Sequence, residues 1–155
     1  MRNLIVYSSR KGSSKKLAEL LAEKLAGDTT LANVKDKPSL ENFDNVILGG
    51  AVLAGEIKGG MRQFTESNIE TLKHKKIALF VCCLDNNAEN IKNYFVKIYP
   101  QILIDQSVAS ECLGGAYDPQ KENFLMRFIL KLMKSKTGEF FKLENLDKIA
   151  DKLKN

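Results

Sequence analysis

Ser9, Gly12, Ser13 and Ser14 sit in one short turn together with Arg10, Lys11, Lys15 and Lys16. Hydroxyls, a glycine and cations at this spacing suit a phosphate monoester. The chemistry depends on the elements either side. Leu4-Ile5-Val6-Tyr7 is an apolar, β-prone run too short for a helix core. Leu17, Ala18, Leu20, Leu21 and Leu25 then recur at helical spacing. The turn therefore lies between a buried strand and a helix whose first N–H groups have no intrahelical partner and carry the positive end of the helix dipole. Ser13 or Ser14 is expected to cap that helix, and an anion would sit at its N-terminus. Neither G-x-x-x-x-G-K-[ST] nor G-x-G-x-x-G is present, so P-loop and dinucleotide fingerprints have no support.

The run Ile5-Val6-Tyr7-x-Ser9-x-x-Gly12-x-Ser14-x-x-x-Ala18-x-x-Leu21 resembles the flavodoxin signature. Ser14 stands where that signature usually has Thr, and Lys11 where it has a hydroxyl. The resemblance implies a three-layer, doubly wound α/β fold with a five-stranded parallel sheet of order 2-1-3-4-5, and FMN as cofactor. It places the phosphate on Ser9, Arg10, Lys11, Gly12, Ser13 and Ser14.

Helix one is expected from Ser13 or Ser14 to about Ala26, strand two over Thr29 to Val34, and at most a short helix near Ser39 to Phe43. Val46-Ile47-Leu48-Gly49-Gly50-Ala51 is a continuous apolar run fit for a central parallel strand. In a 2-1-3-4-5 sheet the ligand crevice lies where strands one and three diverge. The loop after strand three is therefore expected to share the site through Ala51, Val52, Leu53, Ala54 and Gly55; the resemblance puts the flavin ring beside it, where, with no aromatic between Ala51 and Gly60, the ring would rest on Val52, Leu53 or Ile57 or lie open.

A helix follows over about Met61 to Leu72, then a central strand from Lys76 to Leu84. Asp85-Asn86-Asn87 comes next; the resemblance puts it at the pyrimidine side of the flavin, while an ordinary Asx turn capping the next helix is the competing reading. Helix four is expected from about Ala88 to Tyr99. Strand five is expected over Ser107 to Gly115, with Gly115 and Tyr117 opening another loop at the ligand edge.

Residues 117–141 read as an insertion into a minimal flavodoxin, containing a helix from Asn123 to Lys136. Arg127, Lys131 and Lys134 form a basic stripe on it, with Phe128, Ile129, Leu130, Leu132 and Met133 opposite. Such a helix packs into a core or lies on an anionic membrane surface, and packing is the expectation. A last helix, Leu143 to Leu153, covers the sheet.

These features together are similar to a flavodoxin-domain group that includes the menaquinone-dependent protoporphyrinogen dehydrogenases, although Leu53 and Ala54 stand where that subgroup carries Arg and Tyr.

One domain of 155 residues is the natural count, and 44% apolar content suffices for a core. No apolar run reaches membrane-spanning length, and a strand starting at the second or third residue leaves no room for a signal peptide. Cys82, Cys83 and Cys112 lie in apolar runs and read as reduced core thiols, which suits a cytoplasmic protein, either free or peripheral to the inner face of the membrane. Cys82 and Cys83, being adjacent, point to opposite faces of a strand.

No nucleophile–base or metal-ligand constellation stands out, and response-regulator chemistry lacks its acidic cluster at Ser8-Ser9. The net charge of +5 is spread along the chain, which argues against nucleic acid as a partner. The expected function is an FMN-binding electron carrier working with a redox partner protein or a quinone-like acceptor. The alternatives are a membrane-surface flavin oxidoreductase of the protoporphyrinogen dehydrogenase type and a flavodoxin-fold interaction module without flavin.

Overall fold

The computed structural model describes residues 1–9, 12–132 and 138–155. Arg10 and Lys11, expected at the phosphate, and Met133, Lys134 and Lys136, expected on the inserted helix, lie outside the described residues.

Five strands run parallel: β1 (Arg2–Tyr7), β2 (Asp28–Asn33), β3 (Asn45–Leu53), β5 (Lys76–Cys82) and β6 (Ala109–Cys112). Their order is β2-β1-β3-β5-β6, which is the 2-1-3-4-5 arrangement once β4 (Glu56–Lys58) is recognised as an added antiparallel strand on β3. Interior strands β1 and β3 show why their central residues are continuously apolar. Leu4 and Val6 face one core with Val46 and Leu48; Ile5 and Tyr7 face the other with Ile47. Side chains alternate and both faces are covered, and the buried polar pair at the start of these strands, Asn3 and Asn45, is hydrogen-bonded to itself.

The first core is closed by α2 (Met61–Ser67), α3 (Ile69–Leu72), α4 (Ala88–Ile98) and α5 (Gln101–Gln106), through Met61, Phe64, Leu72, Phe95, Ile98 and Leu103. The second is closed by α1 (Ser13–Lys24) and α7 (Leu143–Lys154), through Leu17, Leu21, Leu146, Ile149 and Leu153. The buried Tyr99 hydroxyl ties α4 to the sheet: it accepts from the Gly50 amide at 2.8 Å and lies 2.6 Å from the Phe80 carbonyl and 2.8 Å from that of Leu48.

Three features differ from the sequence reading. The expected loop after strand three is largely strand: Ala51, Val52 and Leu53 continue β3, and the chain turns back at Ala54 (φ 52°) and Gly55 (φ 79°) into β4. Successive positive φ values are what a tight hairpin turn requires.

Strand five is two strands. β6 ends at Cys112, and β7 (Gly114–Tyr117) leaves the main sheet to pair antiparallel with β8 (Gly138–Phe141). Gly114 makes the break, with φ 78° and a would-be Cβ 1.9 Å from the Phe140 carbonyl oxygen. Any side chain there would collide with backbone.

The inserted helix α6 (Phe124–Leu132) does not pack as expected. Only Leu130 is buried, while Phe124, Leu125, Phe128 and Leu132 are 80, 66, 54 and 68% exposed. Helical periodicity reports an apolar arc, not whether a neighbour covers it.

Candidate functional site

At the carboxyl ends of the strands, the turn after β1 and the turn after β3 diverge to opposite faces of the sheet. This is the switch point at which doubly wound sheets hold ligands. A cleft open to solvent lies there. Ser13 and Ser14 line it from the start of α1, Ala51, Val52 and Leu53 from β3, and Lys58 from β4. Cys82, Cys83 and Leu84 line it from the end of β5, and Gly115, Ala116 and Glu122 from the segment after β6.

The anion end is built by backbone geometry. Gly12, not Ser13 or Ser14, is the N-cap of α1, in a left-handed conformation (φ 94°) and without a side-chain capping bond. Its amide donates to Ser9 Oγ at 2.9 Å, which holds the turn closed. Among the described residues no atom lies within 4 Å of where a Gly12 Cβ would stand, so the glycine is set by its left-handed conformation. Ser14 is buried in the cleft wall. The N–H groups of the first helical turn, which have no intrahelical partner, and two cleft-lining hydroxyls form a donor set suited to a phosphate, while the Lys58 ammonium is paired with Glu56 at 3.0 Å. The neighbouring wall of Ala51, Val52, Leu53 and Leu84 is apolar and suits a planar ring. Residues and open space together fit a phosphorylated aromatic cofactor.

The Asp85-Asn86-Asn87 loop satisfies itself. Asp85 Oδ1 accepts from the Asn87 amide at 2.8 Å, and Oδ2 accepts from Asn90 Nδ2 at 2.9 Å and the Tyr94 hydroxyl at 3.0 Å. Burial raises the Asp85 pKa, but these donors outweigh it and hold the carboxyl below its usual range. Tyr94 is pushed up to about 12 by burial and by that carboxylate. Asn87 Oδ1 accepts from the Asn90 amide at 3.1 Å and caps α4. The Asx-turn reading therefore describes these side chains.

The expected site residues divide accordingly. Ser13, Ser14, Ala51, Val52, Leu53 and Gly115 come together around the cleft. Ser9 and Gly12 shape the turn that leads into α1. Ala54 and Gly55 form the hairpin tip, and the space over Gly55 faces the Tyr94 hydroxyl at 4.0 Å. Tyr117 is buried and paired with Gly138 in the β7–β8 ribbon.

Ala116, in the loop expected at the ligand edge, also lines the cleft, and Lys58, Cys82, Cys83, Leu84 and Glu122 line it without having been named as site residues. Cys82, Cys83 and Leu84 could have been found, because they end the strand expected beside the crevice. Lys58 and Glu122 carry no local signal; one enters through the hairpin and the other through the insertion. Burial pushes the Cys82 thiol up to about 12, against a hydrogen bond from Ser14.

Doubly wound topology, a hydroxyl-bearing turn at the first helix N-terminus and an apolar crevice at the β1/β3 switch point define a nucleotide-binding class of α/β domain. Residues 4–143 match the family described as "Flavodoxin domain", and the chain belongs to that family. It is 23% identical over 150 residues to the protoporphyrinogen IX dehydrogenase [quinone] of Escherichia coli K12, a match that covers 89% of this chain and 81% of that protein. Flavodoxin 2 from Bacillus cereus superposes with a TM-score of 0.61 at 18% identity, over 99% of this chain and 98% of that one. A flavoprotein from Lactobacillus acidophilus, crystallised in complex with FMN, gives 0.53 at 14% identity, over 72% of this chain and 92% of that one.

Proposed function

We propose that this protein binds FMN in the cleft and carries electrons between partners. The observation that supports this best is the pairing, at one switch point, of the anion-binding turn at α1 with the apolar wall of β3. The family and the FMN-bound Lactobacillus flavoprotein support the choice of cofactor. FMN supplies one- and two-electron chemistry when bound; the chain's task is to hold it and to set its surroundings.

In this reading Ser9, Gly12, Ser13 and Ser14, with Arg10 and Lys11, receive the phosphate. Val52 and Leu53 exclude water from one side of the ring. Ala54, Gly55 and the backbone of Asp85-Asn86-Asn87, Gly115 and Tyr117 bound its far edge. The working unit is the chain from 1 to 155 as one domain.

The test is an FMN titration of the purified chain, followed by quenching of flavin fluorescence. Saturable binding at micromolar FMN is the expected result, which is about −8 kcal/mol. No binding up to about millimolar FMN, roughly −4 kcal/mol, would leave a flavodoxin-fold interaction module instead.

A second reading is favoured by the exposed face of α6. Phe124, Leu125, Phe128 and Leu132 project outward, with exposed Arg127 and Lys131 beside them. No described helix is long and apolar enough to cross a membrane, but apolar residues flanked by cations suit an anionic membrane surface. There the redox partner would be a quinone-like acceptor, a reading that the quinone named for the Escherichia coli relative supports. Co-sedimentation with phosphatidylglycerol vesicles, weakened at least several-fold by Phe124→Ser with Phe128→Ser, is the expected outcome. Equal recovery with neutral phosphatidylcholine vesicles, or no effect of the double substitution, would remove the membrane from this reading.

A further inference from the structure

Cys83 and Cys112 are both free and buried, and their sulfurs lie 3.4 Å apart. The strand register explains the approach. Cys112 stands opposite Val81, and Cys83 lies two residues beyond Val81 on the same face of the sheet. Both side chains enter the core on the α4 side, whereas Cys82 turns into the opposite core. The backbone around the pair is fixed: the Cys83 amide donates to the Gly114 carbonyl, and the Leu113 amide to the Val81 carbonyl, each at 2.9 Å. Cys83 also lines the cleft, so a small solute in the cleft reaches one member of the pair directly.

We propose that Cys83 and Cys112 form a two-electron dithiol–disulfide centre in the wall of the cleft, oxidised by a hydroperoxide. The sulfurs have to close only to the ~2.05 Å of a disulfide bond. Thiol–thiol contact also polarises the pair. Either thiol can donate to the other sulfur, so whichever of the two becomes the thiolate, the form that reacts, is stabilised by its neighbour.

The Cys83 thiolate, on the cleft wall, attacks one peroxide oxygen; the O–O bond breaks, hydroxide departs and Cys83 becomes a sulfenic acid. The Cys112 sulfur then attacks the sulfenic sulfur, the S–O bond breaks, and the hydroxyl leaves with the Cys112 proton as water. Two thiol groups are oxidised to one disulfide, and the peroxide oxygens are reduced to water and hydroxide. The bond joins the ends of β5 and β6 next to the cleft. The centre does not depend on what the cleft binds.

The test uses the purified full chain without flavin, treated with stoichiometric hydrogen peroxide, quenched, alkylated and digested. The expected product is a Cys83–Cys112 cross-linked peptide pair, lighter than the two thiol peptides by two hydrogens and released by dithiothreitol. Cys82→Ser should keep it in full, and Cys83→Ala and Cys112→Ala should each abolish it. Unfolding curves of the unoxidised variants show whether each alanine variant folds, and the Cys82→Ser chain tests the pair even if one does not. Oxidation that stops at sulfenic or sulfinic acid, or a cross-link that contains Cys82, overturns the proposal.

Discussion

Replacing Ser9 and Ser14 together by Ala is expected to weaken FMN binding about 100-fold while leaving riboflavin binding unchanged. Hydrogen bonds to a charged group contribute about 1.5–3 kcal/mol each, and about 1.4 kcal/mol is a factor of ten. Two hydroxyls lost from a phosphate would therefore cost roughly 3 kcal/mol at the low end of that range. Their positions support the assignment. Ser14 is buried in the cleft wall at the first turn of α1. Ser9 receives the Gly12 amide and so holds the turn in the shape that exposes the helix N-terminus.

Riboflavin has the ring and no phosphate, so it separates the two ends of the cleft. A parallel loss of riboflavin affinity would mean that the substitutions collapse the cleft. A loss below threefold for FMN would mean that the phosphate does not sit at this turn.

Gly49→Ala is expected to destabilise the fold by about 3 kcal/mol, at the upper end for added volume in a packed core. For a chain of this size that lowers the melting temperature by roughly 6–12 °C. A Cβ on Gly49 would stand 2.0 Å from Cζ of Phe80 and 2.3 and 2.6 Å from Cε2 and Cε1. The Phe80 ring thus lies directly over Gly49, its partner across the β3–β5 ladder. Phe80 is fully buried among Ile5, Leu17 and Ile47 and has no free volume to move into.

Gly50 faces the other core, where its Cβ would meet the Ile98 methyls at 2.8 and 2.9 Å. Those contacts are longer than the 2.0 Å approach to Phe80, so Gly50→Ala should cost clearly less. Thermal and urea unfolding of the two variants give the comparison. Gly49→Ala melting within 2 °C of the parent chain would mean that the ring does not occupy that space. If the ring is the cause, Gly49→Ala with Phe80→Leu should recover part of the loss.

The glycine pair shows how much of the fold is written locally. Val46-Ile47-Leu48-Gly49-Gly50-Ala51 reads as a central strand because six consecutive residues offer no polar face. That the two glycines serve two different cores, one under a phenyl ring and one beside an isoleucine, depends on strands and helices brought in from elsewhere. The hairpin after β3 was illegible for a related reason. Leu53-Ala54-Gly55-Glu56 lacks the Asn-Gly or Asp-Gly pair that announces such a turn. The turn is imposed by pairing of Val52 with Ile57 and of Ala51 with Lys58.

Taken alone, the sequence determined the strands of the parallel sheet and the turn that starts α1, from short-range periodicity and from glycines and hydroxyls adjacent in the chain; the strand order came with the resemblance to flavodoxins. Tertiary structure decided the rest. Gly114 breaks the last strand because the Phe140 carbonyl occupies its Cβ position. Glu122 and Lys58 reach the cleft because an insertion and a hairpin carry them there. Cys83 meets Cys112 because two strands pair in one register. The apolar arc of α6 stays outward because no element covers Phe124, Leu125 or Phe128 among the described residues. Each of these outcomes depends on contact between residues far apart in the chain, and local pattern carries no record of which distant segment will arrive.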